Sequence, residues 1–144
     1  MSTLIKCGPS GGISGSDFDD TLLAAGKRIV KVTIGHGTWV DAVQVSWSDG
    51  SSSLKHSGDG GSTDTISFAA DEYLTGITGK YGAKVDSIRF ITNKTTYGPD
   101  GGPGGDVEYH YNAGPAAPEL RIAGFLGRCG RYVDAIGCVF AIGG

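Results

Sequence analysis

Gly130-Arg131-Tyr132-Val133-Asp134-Ala135-Ile136 is the third copy of a pattern that also runs as Gly37-Thr38-Trp39-Val40-Asp41-Ala42-Val43 and Gly82-Ala83-Lys84-Val85-Asp86-Ser87-Ile88. Each copy ends a glycine turn on Val-Asp, and each follows a strand-like segment, over 28–36, 72–81 and 119–129. The aspartates are 45 and 48 residues apart, with an apolar residue two positions beyond each. A second motif interleaves with the first: Gly8-Pro9-Ser10-Gly11-Gly12, Gly58-Asp59-Gly60-Gly61 and Gly101-Gly102-Pro103-Gly104-Gly105, whose last glycines are 49 and 44 residues apart. Units of about 45 residues bury their faces only by packing on one another. The chain therefore reads as three copies of one all-β unit with threefold pseudosymmetry, residues 1–144 forming a single domain.

Period-2 alternation supports that reading. Ile29, Val32 and Ile34 lie in one run, Ala42 to Trp47 in a second and Ser87 to Thr92 in a third, with Gly/Ser/Asp/Pro clusters between them. Asp20 to Lys27 is the only helix-like stretch; it is short and broken by Gly26, so strand or loop is the expectation there. The 144 residues include 26 glycines without a G-x-y period, which excludes collagen and makes them loop glycines. Twelve basic against 15 acidic side chains give a net charge of −3, so a phosphate-tracking surface and a nucleic-acid partner are not expected. The longest apolar run, Cys138 to Ile142, is far too short to cross a membrane, and no signal-peptide pattern opens the sequence. A soluble chain is expected, secreted in mature form or cytoplasmic.

An aspartate held at a strand entrance by a glycine turn offers two acceptor oxygens, and the backbone amides of the turn point the same way. Such a group suits a vicinal pair of sugar hydroxyls. Trp39 and Tyr132 would add an apolar wall beside two of the aspartates, and Lys84 takes that place in the third. As isolated motifs these would be hairpin loops capping their own turns; three in phase favour a function.

In these features the sequence resembles the jacalin-related lectins, along nearly its whole length. The most specific part is Gly127 to Gly137, and Gly11-Gly12, Phe18-Asp19 and Thr92-Asn93-Lys94 followed by Tyr97-Gly98-Pro99 support it. The resemblance implies a β-prism I fold of three four-stranded antiparallel sheets, and a sugar bound by loops at one end without metal, cofactor or catalysis. It implies a primary site at Gly130, Arg131, Tyr132, Val133 and Asp134, with the Gly12 amide across the cleft. A second site would pair Gly37, Thr38, Trp39, Val40 and Asp41 with Gly61. A third would pair Gly82, Ala83, Lys84, Val85 and Asp86 with Gly105. Two departures bear on these: the Gly58–Gly61 loop reads one residue shorter than the others, and Lys84 in place of an aromatic counts against the third site. Gly12 is internal, unlike the free N-terminal glycine of galactose-binding members, so mannose/glucose-containing oligosaccharides and glycoproteins are the expected partners, bound by a homodimer or higher oligomer. The competing expectation is a prism scaffold acting through protein contacts.

Other signals are weaker. Asp17-Phe18-Asp19-Asp20-Thr21 has the D-x-D-x-T form of a phosphotransferase loop but lacks the apolar strand before it and the α/β domain after it. His36, His56 and His110 show no metal-ligand spacing, and Gly11 to Gly15 lacks the lysine and helix of a phosphate loop. Cys7, Cys129 and Cys138 are odd in number without a C-x-x-C pair, and Asn93-Lys94-Thr95 is a glycosylation sequon or a turn. A glycosidase would need two carboxyls about 5–9.5 Å apart, whereas repeat aspartates should sit on separate loops.

Overall fold

The computed structural model describes residues 3–113 and 120–143; Glu119, which opens the third copy, lies outside them. Three four-stranded antiparallel sheets close a prism. The first sheet places β1 (Thr3–Gly11), β12 (Val133–Ile142), β11 (Leu120–Cys129) and β2 (Ser16–Asp19) side by side in that order. The second orders β5 (His56–Ser57), β4 (Val40–Trp47), β3 (Ile29–His36) and β6 (Ser62–Ser67). The third orders β10 (Val107–Asn112), β7 (Leu74–Tyr81), β8 (Val85–Thr92) and β9 (Thr96–Gly101). Each sheet is thus a central hairpin flanked by two outer strands, and the hairpins β3–β4, β7–β8 and β11–β12 carry the three sequence copies.

Alternation along these hairpins turns one face of every sheet inward, because successive side chains of a strand point to opposite faces. Trp47, Phe90 and Phe125, one from each sheet, are the largest fully buried side chains. Phe90 meets Phe125 edge-on at 6.2 Å, and the Trp47 indole donates to the Ala123 carbonyl at 2.8 Å, so the polar atom of the buried tryptophan is satisfied. The spacing Ile29, Val32, Ile34 departs from strict alternation at a register shift between Ile29 and Lys31. The same shift recurs between Leu74 and Gly76 and between Ile122 and Gly124. A bulge re-aims the strand at one point of every copy. A second shift falls just before each aspartate turn, at Gly35/His36, Lys80/Tyr81 and Arg128/Cys129.

The expectation of strand or loop over Asp20 to Lys27 is corrected in part: α1 (Thr21–Ala24) is a single helical turn. Tertiary contacts hold it. Ala24 is buried against Gly124, where a Cβ would lie 3.1 Å from the Ala24 methyl, and Asp20 bonds the His56 ring at 2.8 Å. The acids of the phosphotransferase-like stretch are spent on structure: Asp17 pairs with Arg128 at 2.6 Å, Asp19 with Lys6 at 2.8 Å and Asp20 with His56. Asn93 is built into a turn, accepting from the Tyr73 amide at 2.9 Å and donating to the Asp71 carbonyl at 2.8 Å. The three cysteines are free, although Cys7 and Cys138 are register partners on β1 and β12.

Where the second and third sheets meet, His36 of β3, Asp64 of β6 and Asp100 of β9 converge. Burial, and then the Asp64 carboxyl beside it, push the Asp100 carboxyl up to about 6.

Candidate functional site

All three repeat aspartates stand at the same end of the prism, each one residue into the second strand of a central hairpin and each almost wholly buried: Asp41, Asp86 and Asp134 are 4, 7 and 5 % exposed. The turn before each is closed identically. Gly37 donates to the Trp39 carbonyl at 2.9 Å, Gly82 to the Lys84 carbonyl at 3.0 Å and Gly130 to the Tyr132 carbonyl at 3.0 Å. Burial raises Asp134 above the ordinary carboxylate range against the pull of Lys84 and Arg128. Asp86 is raised likewise by burial, with the Gly82 amide opposing and Asp106 reinforcing.

The glycine-rich loops cover these carboxylates in a register that corrects the sequence reading. Gly11, Ser57 and Gly101 occupy one equivalent position, each paired with the residue after its aspartate: Ala135, Ala42 and Ser87. All three have positive φ, of 140°, 107° and 116°. The next residue donates its amide to the aspartate's backbone carbonyl, Gly12 to Asp134 at 2.8 Å, Gly58 to Asp41 at 3.2 Å and Gly102 to Asp86 at 2.9 Å. The loops Gly12–Gly15, Gly58–Gly61 and Gly102–Gly105 are therefore equal in length, and the second is not shorter. It looked so because a serine replaces the leading glycine.

Three residues further on, Gly15, Gly61 and Gly105 (φ 80°, 75° and 98°) lie against the carboxylates themselves. A Cβ would come within 2.6 Å of Asp134 Oδ2 at Gly15 and within 2.9 Å of Asp86 Oδ2 at Gly105, and would collide with Asp41 Oδ2 at Gly61. Gly61 and Gly105 thus face the aspartates they were paired with, but Gly12 does not: its amide is committed to the Asp134 carbonyl, and Gly15 is the counterpart across the cleft. Arg128, which the sequence reading left unassigned, fixes that loop by donating to the Ser14 carbonyl at 3.1 Å and the Gly15 carbonyl at 2.7 Å.

The turn tips interlock around the prism axis. Gly12 abuts the Ala83 carbonyl, Gly58 the Arg131 carbonyl and Gly102 the Thr38 carbonyl, so every glycine loop leans on the turn of a neighbouring copy. Ser57 Oγ strengthens one such contact with a 2.9 Å bond to the Gly130 carbonyl. At the centre Trp39 and Tyr132 meet edge-on at 4.9 Å, and Lys84 Nζ lies 5.1 Å and 5.6 Å from the two ring centroids. A cavity of about 470 Å³ over Asp41 is lined by Trp39, Gly60 and Gly61 and, from the third copy, by Arg131 and Tyr132. The sequence reading gave each tip to its own aspartate; in space Tyr132 also walls Asp41, and the Trp39 indole acts on Asp86. A groove of about 440 Å³ on the third sheet, bordered by Lys80, Arg89 and Glu108, holds none of the three aspartates.

Comparison with known proteins places the chain in a family. Residues 7–139 match the family model described as Jacalin-like lectin domain. The chain belongs to that family. Family members are carbohydrate binders rather than enzymes, and this chain is a carbohydrate-binding lectin by membership. Horcolin of Hordeum vulgare is 37% identical over 150 residues, spanning 95% of this chain and 97% of that protein. A lectin of Parkia platycephala named mannose/glucose-specific is 32% identical over 149 residues, 92% of this chain and 31% of that protein. Among solved structures, a lectin from Ananas comosus described as a mannose binding jacalin related lectin superposes with a TM-score of 0.82 at 33% identity, covering 98% of this chain and 99% of that one.

Proposed function

We propose that this jacalin-like lectin binds mannose/glucose-type glycans, without a metal, through loop sites centred on Asp134, Asp41 and Asp86. The observation that carries this reading is the threefold recurrence of a buried carboxylate faced by a positive-φ glycine, at a position where any side chain would fill the space beside the acid. The names of the Parkia and Ananas relatives support the sugar class. An equatorial O4 and its neighbouring O6 would share the Asp134 carboxylate. An epimer with O4 displaced would leave one buried acceptor unpaired, which costs about 1–3 kcal/mol. The sites are unequal: Ile13, Asp59 and Pro103 occupy corresponding positions of the three glycine loops, so one rim is apolar, one acidic and one rigid. Open sites of this kind bind one sugar at about millimolar, roughly −4 kcal/mol, so useful strength requires several sites and association of chains.

The deciding experiment is calorimetric titration with methyl α-mannoside and methyl α-galactoside in chelator, on the wild type and on Asp41→Ala, Asp86→Ala and Asp134→Ala. Mannoside binding whose stoichiometry falls by a step with each functional substitution supports the reading and counts the sites. Equal heats with both sugars, or none with either, would move the function to another glycan or to a protein partner.

A further inference from the structure

Away from the sugar loops, three metal-ligating side chains converge at the seam of the second and third sheets. His36 Nε2 lies 2.9 Å from Asp64 Oδ2 and 3.4 Å from Asp100 Oδ1, and one donor atom from each residue falls within 4.8 Å of the others. They come from β3, β6 and β9, so no sequence spacing announces them. Asp100 is 8 % exposed, while Asp64 stands at the solvent edge. Among the described residues, the ion pairs bring neither lysine nor arginine to either carboxylate, and two acids converge on one imidazole.

An imidazole nitrogen with two carboxylate oxygens is a borderline donor set of the zinc type; calcium and magnesium prefer an all-oxygen shell of about six or more ligands. A tetrahedral ion with arms of about 2.0–2.1 Å separates its ligands by roughly 3.3–3.4 Å. The His36–Asp100 separation already has that value, and the exposed Asp64 side chain can open the shorter one by a small rotation. We infer that His36, Asp64 and Asp100 form a three-ligand site for a zinc-type divalent cation, with water in the fourth position. The site is structural in character. His36 directly precedes the Gly37 turn, Asp64 follows Gly61 by three residues and Asp100 precedes the loop opened by Gly102, so a bound ion would clamp the roots of the loops around Asp41 and Asp86. The Asp134 loops have no ligand in it, and the inference does not depend on which sugar is bound.

The test is titration of the chelator-stripped full chain with Zn²⁺ and Co²⁺ by calorimetry, with Co²⁺ absorption spectra, and with Ca²⁺ and Mg²⁺ as controls. One equivalent of Zn²⁺ is expected, with visible Co²⁺ bands of four-coordinate intensity and a melting temperature raised by several degrees. His36→Gln and Asp64→Asn should each weaken Zn²⁺ by more than about tenfold. Asp64→Asn, on an exposed side chain, should leave the metal-free melting temperature unchanged, which keeps the test valid if a substitution at Asp100 fails to fold. Absence of saturable Zn²⁺ binding below about millimolar, or wild-type affinity in both variants, would overturn the site. Mannoside titration in chelator reports separately on the sugar reading.

Discussion

Arg128 donates to the carbonyl of Gly15 at 2.7 Å, so a side chain of the third copy sets the height of the first glycine loop above Asp134. The same guanidinium holds the Ser14 carbonyl and Asp17. Replacing it by alanine frees the loop on one side only. Arg128→Ala should weaken mannoside at the Asp134 site about tenfold, roughly 1.4 kcal/mol, with little change elsewhere, and Arg128→Lys should not restore it, because an ammonium lacks the planar fork. Site-resolved NMR titration would separate this from a general loss of folding.

Gly15, Gly61 and Gly105 should behave alike under substitution. Alanine at any of them places a methyl against the carboxylate and strains a positive φ, so each variant should lose one site and about 1–2 kcal/mol of stability. Gly12→Ala should act differently. Its methyl meets the Ala83 carbonyl, wedging two copies apart, and the expected result is a lower melting temperature with damage to more than one site. Calorimetric stoichiometry beside thermal melts distinguishes the two patterns.

Tyr132→Ala should diminish binding at Asp41 as well as at Asp134, because Tyr132 lines the cavity over Asp41. Were each turn to serve its own aspartate alone, the Asp41 site would be unaffected. The double variant with Asp134→Ala confines any further loss on removing the ring to the other two sites, and site-resolved NMR titration then assigns it to Asp41.

Acidification should separate binding from folding. Asp134 and Asp86 have raised pKa values, so the folded chain holds those protons more tightly than the unfolded chain, and protonating them does not favour unfolding. In the proposed sites sugar binding needs the ionised carboxylate and should be lost as pH falls through those raised values. Glu72 has the opposite sign. It is buried, and although burial works to raise it, bonds from Thr92, the Ala69 amide and Tyr97 hold it below the ordinary range, so its stabilisation is full above the unfolded pKa and lost as pH falls through the folded one. Titrating from about pH 7 to about pH 3, mannoside affinity at the Asp134 and Asp86 sites should disappear before the melting temperature collapses.

Glu72→Ala should cost about 2–4 kcal/mol at neutral pH, since it strands the hydroxyls of Thr92 and Tyr97 and the Ala69 amide, and it should flatten the acid limb of the stability profile. Glu72→Gln keeps an acceptor and should cost about 1 kcal/mol. Chemical denaturation at two pH values checks both.

Much of this was legible in the residues because the signals were local. The alternation of Ala42 to Trp47 and Ser87 to Thr92 reports a half-buried sheet directly, and the three Val-Asp turns mark the pseudosymmetry. The misreadings arose where a neighbour in space decides the outcome. Ser57 adopts the positive φ that glycine takes in the other copies, and this hid the true phase of the glycine loops and made Gly12 look like the partner of the Asp134 carboxylate. The turn over Thr21–Ala24 depends on Gly124, about a hundred residues away. The sharing of Trp39, Lys84 and Tyr132 among sites follows from closure of the prism, which no linear spacing encodes.

The first sheet has a practical corollary. Thr3 lies opposite Ile142 on β1 and β12, while Gly11 lies opposite Ala135 at the other end of the same two strands. Both outer segments of the described chain therefore emerge at the pole remote from the three aspartates. A label, a surface tether or a fused module attached at either of them would orient the molecule like a bouquet held by its stems, with all three aspartate loops presented to the solution.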